Sequence, residues 1–238
     1  MISVIIPAYN EAAHIQSTIK KLRQYDEGNY IKEIIVADGG STDDTVCVAK
    51  AELVTVVISP KKGRATQMNY GASFATQKLM YFLHADTVPP KGFTRDIANA
   101  IAKGYNAGCF MLSFDYNHWF LKANGWFTRF DVDAIRFGDQ SLFVLGEIFI
   151  NSGGFAETYI ILEDQELIKR LKKMARFTII KKPVLTSARK YLQNGIYKTQ
   201  GIFFIIYFMY RLGYSQQKLV ATYKKMIAED KPKLNKIE

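Results

Sequence analysis

Residues 33–43 read Glu33-Ile34-Ile35-Val36-Ala37-Asp38-Gly39-Gly40-Ser41-Thr42-Asp43, a short continuous apolar run that stops at a carboxylate and breaks into glycine and hydroxyl residues. An apolar run without alternation is the pattern of a strand buried on both faces, and the cluster after it is turn chemistry. The same order recurs on either side. Residues 2–6 lead into Pro7-Ala8-Tyr9-Asn10-Glu11, and residues 54–58 into Ser59-Pro60-Lys61-Lys62-Gly63-Arg64. Residues 79–83 lead into His84-Ala85-Asp86 before Pro89-Pro90 forbids continuation.

Between these strands lie helix-length segments. Residues 11–24 place Ile15, Ile19 and Leu22 at helical spacing, and residues 43–51 and 64–76 fill the next two intervals. A repeated strand–helix order predicts an α/β fold with a mostly parallel central sheet flanked by helices. In such sheets ligands bind beyond the carboxyl ends of the strands, so the four polar segments are expected to border one cleft. Each also has a local reading: Asn10, Ser41 or Asp43 as helix caps and Gly39-Gly40 as a turn.

The chain of 238 residues is 48% hydrophobic, enough for one large core and an appendage. Its two cysteines, Cys47 and Cys109, suggest neither a disulfide framework nor a zinc cluster, and a reducing cytoplasm is expected. Residues 2–6 begin without a basic leader, so no secretory signal is expected. The net charge of +10 is uneven: residues 1–164 hold 15 Lys and Arg against 18 Asp and Glu, whereas residues 165–238 hold 17 against 4. A basic C-terminal third fits an anionic membrane surface or nucleic acid, but no zinc-finger or RNA-binding motif supports the latter.

The segments Val4-Ile5-Ile6-Pro7-Ala8-Tyr9-Asn10-Glu11 and Val36 to Asp43 resemble the opening loops of the family 2 glycosyltransferases, which share the GT-A fold. Gly63-Arg64-Ala65-Thr66-Gln67-Met68-Asn69-Tyr70-Gly71-Ala72, the stretch Leu83 to Thr87, Gly138-Asp139-Gln140, Glu163-Asp164 and Thr186-Ser187-Ala188-Arg189 resemble a bacterial subgroup described as selenodomain-associated or arsenosugar-biosynthesis-type. The resemblance runs from residue 2 to about 215.

This resemblance implies transfer of a sugar from a nucleoside-diphosphate sugar, UDP-linked in preference to GDP-linked, to an acceptor hydroxyl with inversion; the other class is a nucleotide-sugar-binding protein without turnover, which does not require a base at Asp164. Pro7, Ala8, Glu11 and Asp38 then surround base and ribose, with Asp38 accepting from a base N–H, while Arg64 and Ala85 lie on the donor side. Arg64 has the charge to neutralise diphosphate, or instead lies on a solvated surface. The position of residues 84–86 corresponds to the family's metal-binding Asp-x-Asp. Asp86 inherits the ligand role for Mn²⁺ or Mg²⁺, and His84 replaces the first carboxylate. His84 can be a second ligand, better suited to Mn²⁺, or instead orient water, contact the sugar or pack at the strand end. Gly138, Asp139, Gln140 and Glu163 are the implied acceptor or sugar contacts, and Asp164 the catalytic base. The pair at 163–164 can equally be capping acids at a helix start.

Residues 1–194 are expected to form the catalytic domain, with residues 1–100 holding the donor and 101–194 the acceptor. Residues 107–114 read as a strand, residues 119–130 as an aromatic helix or loop, and Gly138-Asp139-Gln140 as a turn entering another strand. Phe114, Tyr116, Trp119, Trp126 and Phe127 are candidates for stacking on an acceptor, or for core. Residues 195–238 form a basic helical appendage in which residues 202–210, Ile-Phe-Phe-Ile-Ile-Tyr-Phe-Met-Tyr, are too short to span a bilayer of ~20 residues. That run is expected to dock on the catalytic domain or a second subunit, or to lie in the headgroup region of an anionic inner membrane face. Residues 230–238 read as a frayed tail.

Overall fold

The computed structural model describes residues 1–136 and 138–227, and the expected tail at 230–238 lies outside them. The chain divides into two compact units, Met1–Ser187 and Ala188–Glu238.

The first unit is built on one eight-stranded sheet in the order β3-β2-β1-β4-β7-β6-β8-β5. The strands are β1 (Ile2–Ala8), β2 (Ile31–Asp38), β3 (Thr55–Ile58), β4 (Leu79–Phe82), β5 (Thr87–Val88), β6 (Ala107–Phe114), β7 (Leu142–Leu145) and β8 (Phe177–Thr186). The helices are α1 (Ala12–Tyr25), α2 (Thr45–Ala51), α3 (Arg64–Ala72), α4 (Phe93–Ala102), α5 (Trp119–Phe127), α6 (Gly146–Asn151) and α7 (Glu163–Met174). The four strands read from sequence are present, and α3 ends at Ala72 rather than Thr76.

The expectation of a mostly parallel sheet holds for β3-β2-β1-β4, whose pairings are all parallel. Beyond β4 the sheet is mixed: β7 runs antiparallel to both β4 and β6, β6 is parallel to β8, and β5 antiparallel to β8. Two reversals around β7 return β6 to the direction of β4. The carboxyl end of β6 therefore lies at the same sheet edge as His84.

Alternation along the buried strands divides the core into two layers. Val4, Ile6, Leu79 and Tyr81 pack with Ile15, Ile19 and Leu22 of α1 and Phe93, Ile97 and Ala100 of α4. Ile5, Met80 and Phe82 face the other way, onto Ala65 and Met68 of α3, Phe149 of α6 and Leu167, Ile168 and Leu171 of α7. Helices on both faces explain why these strands carry no polar alternation. Sheet closure leaves no room at Gly108 of β6, where an added Cβ would stand 2.4 Å from the Thr178 carbonyl oxygen and 2.5 Å from Phe143 Cζ. Gly108→Ala is expected to cost about 1–3 kcal/mol, seen as a lower urea midpoint at unchanged slope.

The second unit contains α8 (Arg189–Asn194), α9 (Ile196–Arg211) and α10 (Gln216–Met226). Phe203 of α9 meets Tyr191 of α8 edge-on at 5.8 Å and stacks on Tyr223 of α10 at 6.5 Å. The Tyr191 hydroxyl donates to Gln200 Oε1 at 2.9 Å.

Candidate active site

The loops after β1 and β2 are joined by their own polar side chains. The Asn10 backbone N–H donates to Ser41 Oγ (2.9 Å), that of Thr42 to Asn10 Oδ1 (2.8 Å), and that of Glu11 to Thr45 Oγ1 (2.8 Å). Asp43 accepts from the Ala12 N–H at 3.2 Å and the Thr45 N–H at 3.0 Å. Asn10 adopts a left-handed backbone (φ 55°), a conformation asparagine tolerates better than most residues.

Asp38 sits at the end of β2 and is buried. Its carboxylate accepts from the backbone N–H groups of Gly40 (2.8 Å) and Ser41 (2.9 Å) and from the Ser41 hydroxyl. In this structure it shapes the Gly39–Ser41 turn. Pro7 and Ala8 complete buried β1 beside it, and Glu11 begins α1. Gln67 of α3, an unassigned member of the quoted Gly63–Ala72 motif, donates from Nε2 to the carbonyls of Ala8 (2.7 Å) and Ala37 (2.9 Å). It ties both strand ends to the helix that begins at Arg64. Ala85 is buried, and its carbonyl accepts from Thr18 Oγ1 of α1 at 2.6 Å.

Arg64 reaches from the start of α3 to an acid pair. Its Nη1 lies 3.3 Å from Glu163 Oε1 and 3.7 Å from Asp164 Oδ2, in the first turn of α7. Leu162, just before that turn, has a left-handed backbone at φ 65°. Such a conformation is uncommon for a bulky residue and fixes the direction in which the acids enter. The side chain of Glu163 is 2% exposed and that of Asp164 14%, whereas Arg64 is 47% exposed. Burial and the neighbouring Glu163 charge push the Asp164 carboxyl up to about 7, against the opposing pull of His84 and Arg64.

Opposite the acids stands His84, whose Nδ1 lies 2.7 Å from Asp139 Oδ1. Burial opposes the charged imidazole, but the bond to Asp139, with the charges of Asp139 and Asp164, outweighs burial and Arg64 and raises its pKa. Gly138 lies between the two groups: a Cβ there would be 2.1 Å from Asp164 Oδ2 and 2.9 Å from His84 Cε1. His84, Gly138 and Asp164 thus line one cavity, with Met68, Phe82 and Ile168 as its apolar wall. Gln140 is turned away into the interior, where its Nε2 donates to the Phe110 carbonyl at 3.0 Å.

The structure therefore gathers Arg64, His84, Gly138, Asp139, Glu163 and Asp164 at one point, and Pro7, Ala8, Glu11 and Asp38 around the joined loops. Asp86 lies two residues beyond His84 at the end of β4, ahead of β5. Among the described residues, no group of three or more His, Cys, Asp or Glu is placed to hold a metal alone. The donor set still fits a divalent cation that takes further oxygens from diphosphate. Asp86 would supply a carboxylate, and His84, whose Nδ1 is taken by Asp139, would offer its other ring nitrogen.

A second, open groove of about 540 Å³ lies beyond the carboxyl end of β6, lined by Phe114, Tyr116, Leu121, Trp126 and Leu185 among others. Of the aromatic candidates, Tyr116, Trp119, Trp126 and Phe127 are exposed, whereas Phe114 is partly buried against the core.

Residues 3–156 match the family Glycosyl transferase family 2. Glucosyl-3-phosphoglycerate synthase of Mycobacterium tuberculosis is 34% identical over 99 residues, covering 37% of this chain and 30% of that protein. The match thus spans under a third of that relative's length. The S. aureus TarS fragment 1–349 in complex with UDP superposes with a TM-score of 0.67 at 14% identity, covering 94% of this chain and 70% of that one. Mannosyltransferase PcManGT from Pyrobaculum calidifontis, in complex with GDP-Man and Mn²⁺, gives 0.67 at 17% identity over 94% and 69%. These structures share the fold, a GT-A sheet with its helices. The family match covers the joined loops, His84, Asp86 and the Gly138–Gln140 turn, and the chain belongs to glycosyl transferase family 2.

Proposed function

We propose that the chain transfers a sugar from a nucleoside-diphosphate sugar to an acceptor hydroxyl in one displacement with inversion. The observation that carries this reading is the placement of the half-buried Asp164, which opens α7 beside Glu163, lies 3.7 Å from the Arg64 guanidinium and lines one cavity with His84 and Gly138. Burial and Glu163 push its carboxyl up, toward proton exchange near neutrality. The catalytic domain, expected over residues 1–194, is centred on the unit Met1–Ser187: the loops after β1 and β2 take the nucleoside, UDP-linked in preference to GDP-linked, and Asp38 meets the base. The TarS complex with UDP and the PcManGT complex with GDP-Man support a nucleotide-sugar donor.

Asp164 takes the proton of the acceptor hydroxyl as that oxygen bonds to the anomeric carbon, and the bond from that carbon to diphosphate breaks on the opposite face. Arg64, half exposed beside the acid pair, offers its guanidinium to the diphosphate. Asp139 holds the His84 ring, and Gly138 keeps the space between His84 and Asp164 open. Asp86 and His84 are the residues that would hold Mn²⁺, or Mg²⁺, which when bound stabilises charge on the departing diphosphate. The groove beyond β6, with Tyr116 and Trp126, suits an acceptor that presents a ring or apolar face.

A thermal-shift screen of nucleotide sugars with and without Mn²⁺ tests the donor half of this reading, because ligands that bind the folded state raise its melting temperature. Metal-enhanced stabilisation by at least one nucleoside-diphosphate sugar is expected. Asp86→Ala should weaken the metal-dependent part by at least ~10-fold. Full metal enhancement in that variant would remove Asp86 from the site.

A further inference from the structure

The second unit turns its apolar residues outward. On α9, Tyr197, Phe204, Ile205 and Phe208 are exposed, and so is Leu212 just past its end, Phe208 at 64% and Leu212 at 60%. At 100° per residue these positions fall within roughly a third of a turn, so they form one stripe. The buried side of the same helix carries Thr199 and Gln200 beside Ile202 and Ile206, with Gln200 bonded to the Tyr191 hydroxyl. Polar groups inside and phenylalanines outside reverse the usual order, which marks the stripe as a contact surface.

The charge around the stripe identifies the contact. Residues 188–227 contain seven Lys and Arg, namely Arg189, Lys190, Lys198, Arg211, Lys218, Lys224 and Lys225, and no Asp or Glu. Lys198 and Arg211 flank the stripe near its two ends, and Lys224 and Lys225 are exposed on α10. Among the described residues no helix is long and apolar enough to cross a membrane. The 16 residues of α9 rise about 24 Å, short of the ~30 Å hydrocarbon core.

We infer that α9 lies in the surface of an anionic bilayer, with Phe204, Ile205, Phe208 and Leu212 among the acyl chains and the lysines and arginines at lipid headgroups. An apolar stripe bordered by cations fits such a surface on both counts. A second copy of this chain would bring the same excess of positive charge to the interface.

The test is co-sedimentation of the full chain with phosphatidylcholine vesicles and with vesicles that also contain phosphatidylserine. Binding is expected to the anionic vesicles only, and to fall steeply with added salt. Phe204→Gln with Phe208→Gln should reduce the partition coefficient by at least ~10-fold. Lys198→Gln with Lys224→Gln and Lys225→Gln should flatten the salt dependence. Circular dichroism should show unchanged helix content in both variants. If the phenylalanine variant misfolds, nitroxide labels at Tyr197 and Phe208 provide the second reading, through protection from aqueous quencher when anionic vesicles are added. Equal binding to both vesicle types, absence of binding, or a concentration-dependent dimer abolished by the phenylalanine substitutions would overturn the inference.

Discussion

Asp164→Asn is expected to lower sugar transfer by ~10²–10⁴-fold while donor binding and its metal enhancement persist. The amide keeps the size of the carboxylate and loses its capacity to take a proton. In the wild type the carboxyl is pushed up to about 7, so kcat/KM should climb as pH rises through about 7. Stability moves the opposite way. The folded-state pKa lies above the unfolded one, so charging Asp164 destabilises the fold progressively from the unfolded pKa of about 4 and fully above about 7. Asp164→Asn removes that cost. The variant should melt above the wild type in mild alkali, and the difference should close toward acid. Near-wild-type turnover in the folded variant would end the assignment of Asp164 as base, and a product that retains the donor's anomeric configuration would end the single-displacement mechanism.

Gly138→Ala should lower transfer by ~10²-fold without replacing any titratable residue. Its Cβ would overlap Asp164 Oδ2 at 2.1 Å and Cγ at 2.6 Å, and press on His84 Cε1 at 2.9 Å. Either the carboxylate or the 3-10 turn Gly138–Gln140 must shift by about an ångström, a displacement that can cost ~10²-fold in rate. Turnover of Gly138→Ala and of the double variant with Asp164→Asn should reveal strong non-additivity, because both changes act on one group. A melting temperature close to wild type with activity intact would show that the Asp164 position is not what limits transfer.

Legibility in the sequence followed burial. β1, β2 and β4 carry apolar runs because helices cover both faces of that part of the sheet, β3 is a partly exposed edge strand, and four such segments separated by helices leave little choice of fold. β8 is different. Its Lys181-Lys182-Pro183 opposes a register shift between Phe110 and Met111 of β6, and lysines followed by proline argue against a strand until the irregularity is seen. β5 is two residues long and carries no period at all. α4, by contrast, does display helical spacing at Phe93, Ile97 and Ala100. At the site, Asp38, Arg64, His84 and Asp164 stand out as polar residues ending apolar segments or opening helices. The His84–Asp139 contact joins residues 55 apart in sequence, and the need for glycine at 138 exists only once Asp164 stands beside it.

The hydrogen bonds that join Asn10, Glu11 and Ala12 to Ser41, Thr42, Asp43 and Thr45 bear on how a nucleotide is received. Two loops that would otherwise each sample many conformations are ordered by folding itself, and an arriving ligand has less motion to arrest. Binding energy that would otherwise freeze these loops remains available for orienting the sugar. Breaking the joint, as Asn10→Ala would, should leave the donor contacts proposed for these loops in place yet make donor association entropically more costly.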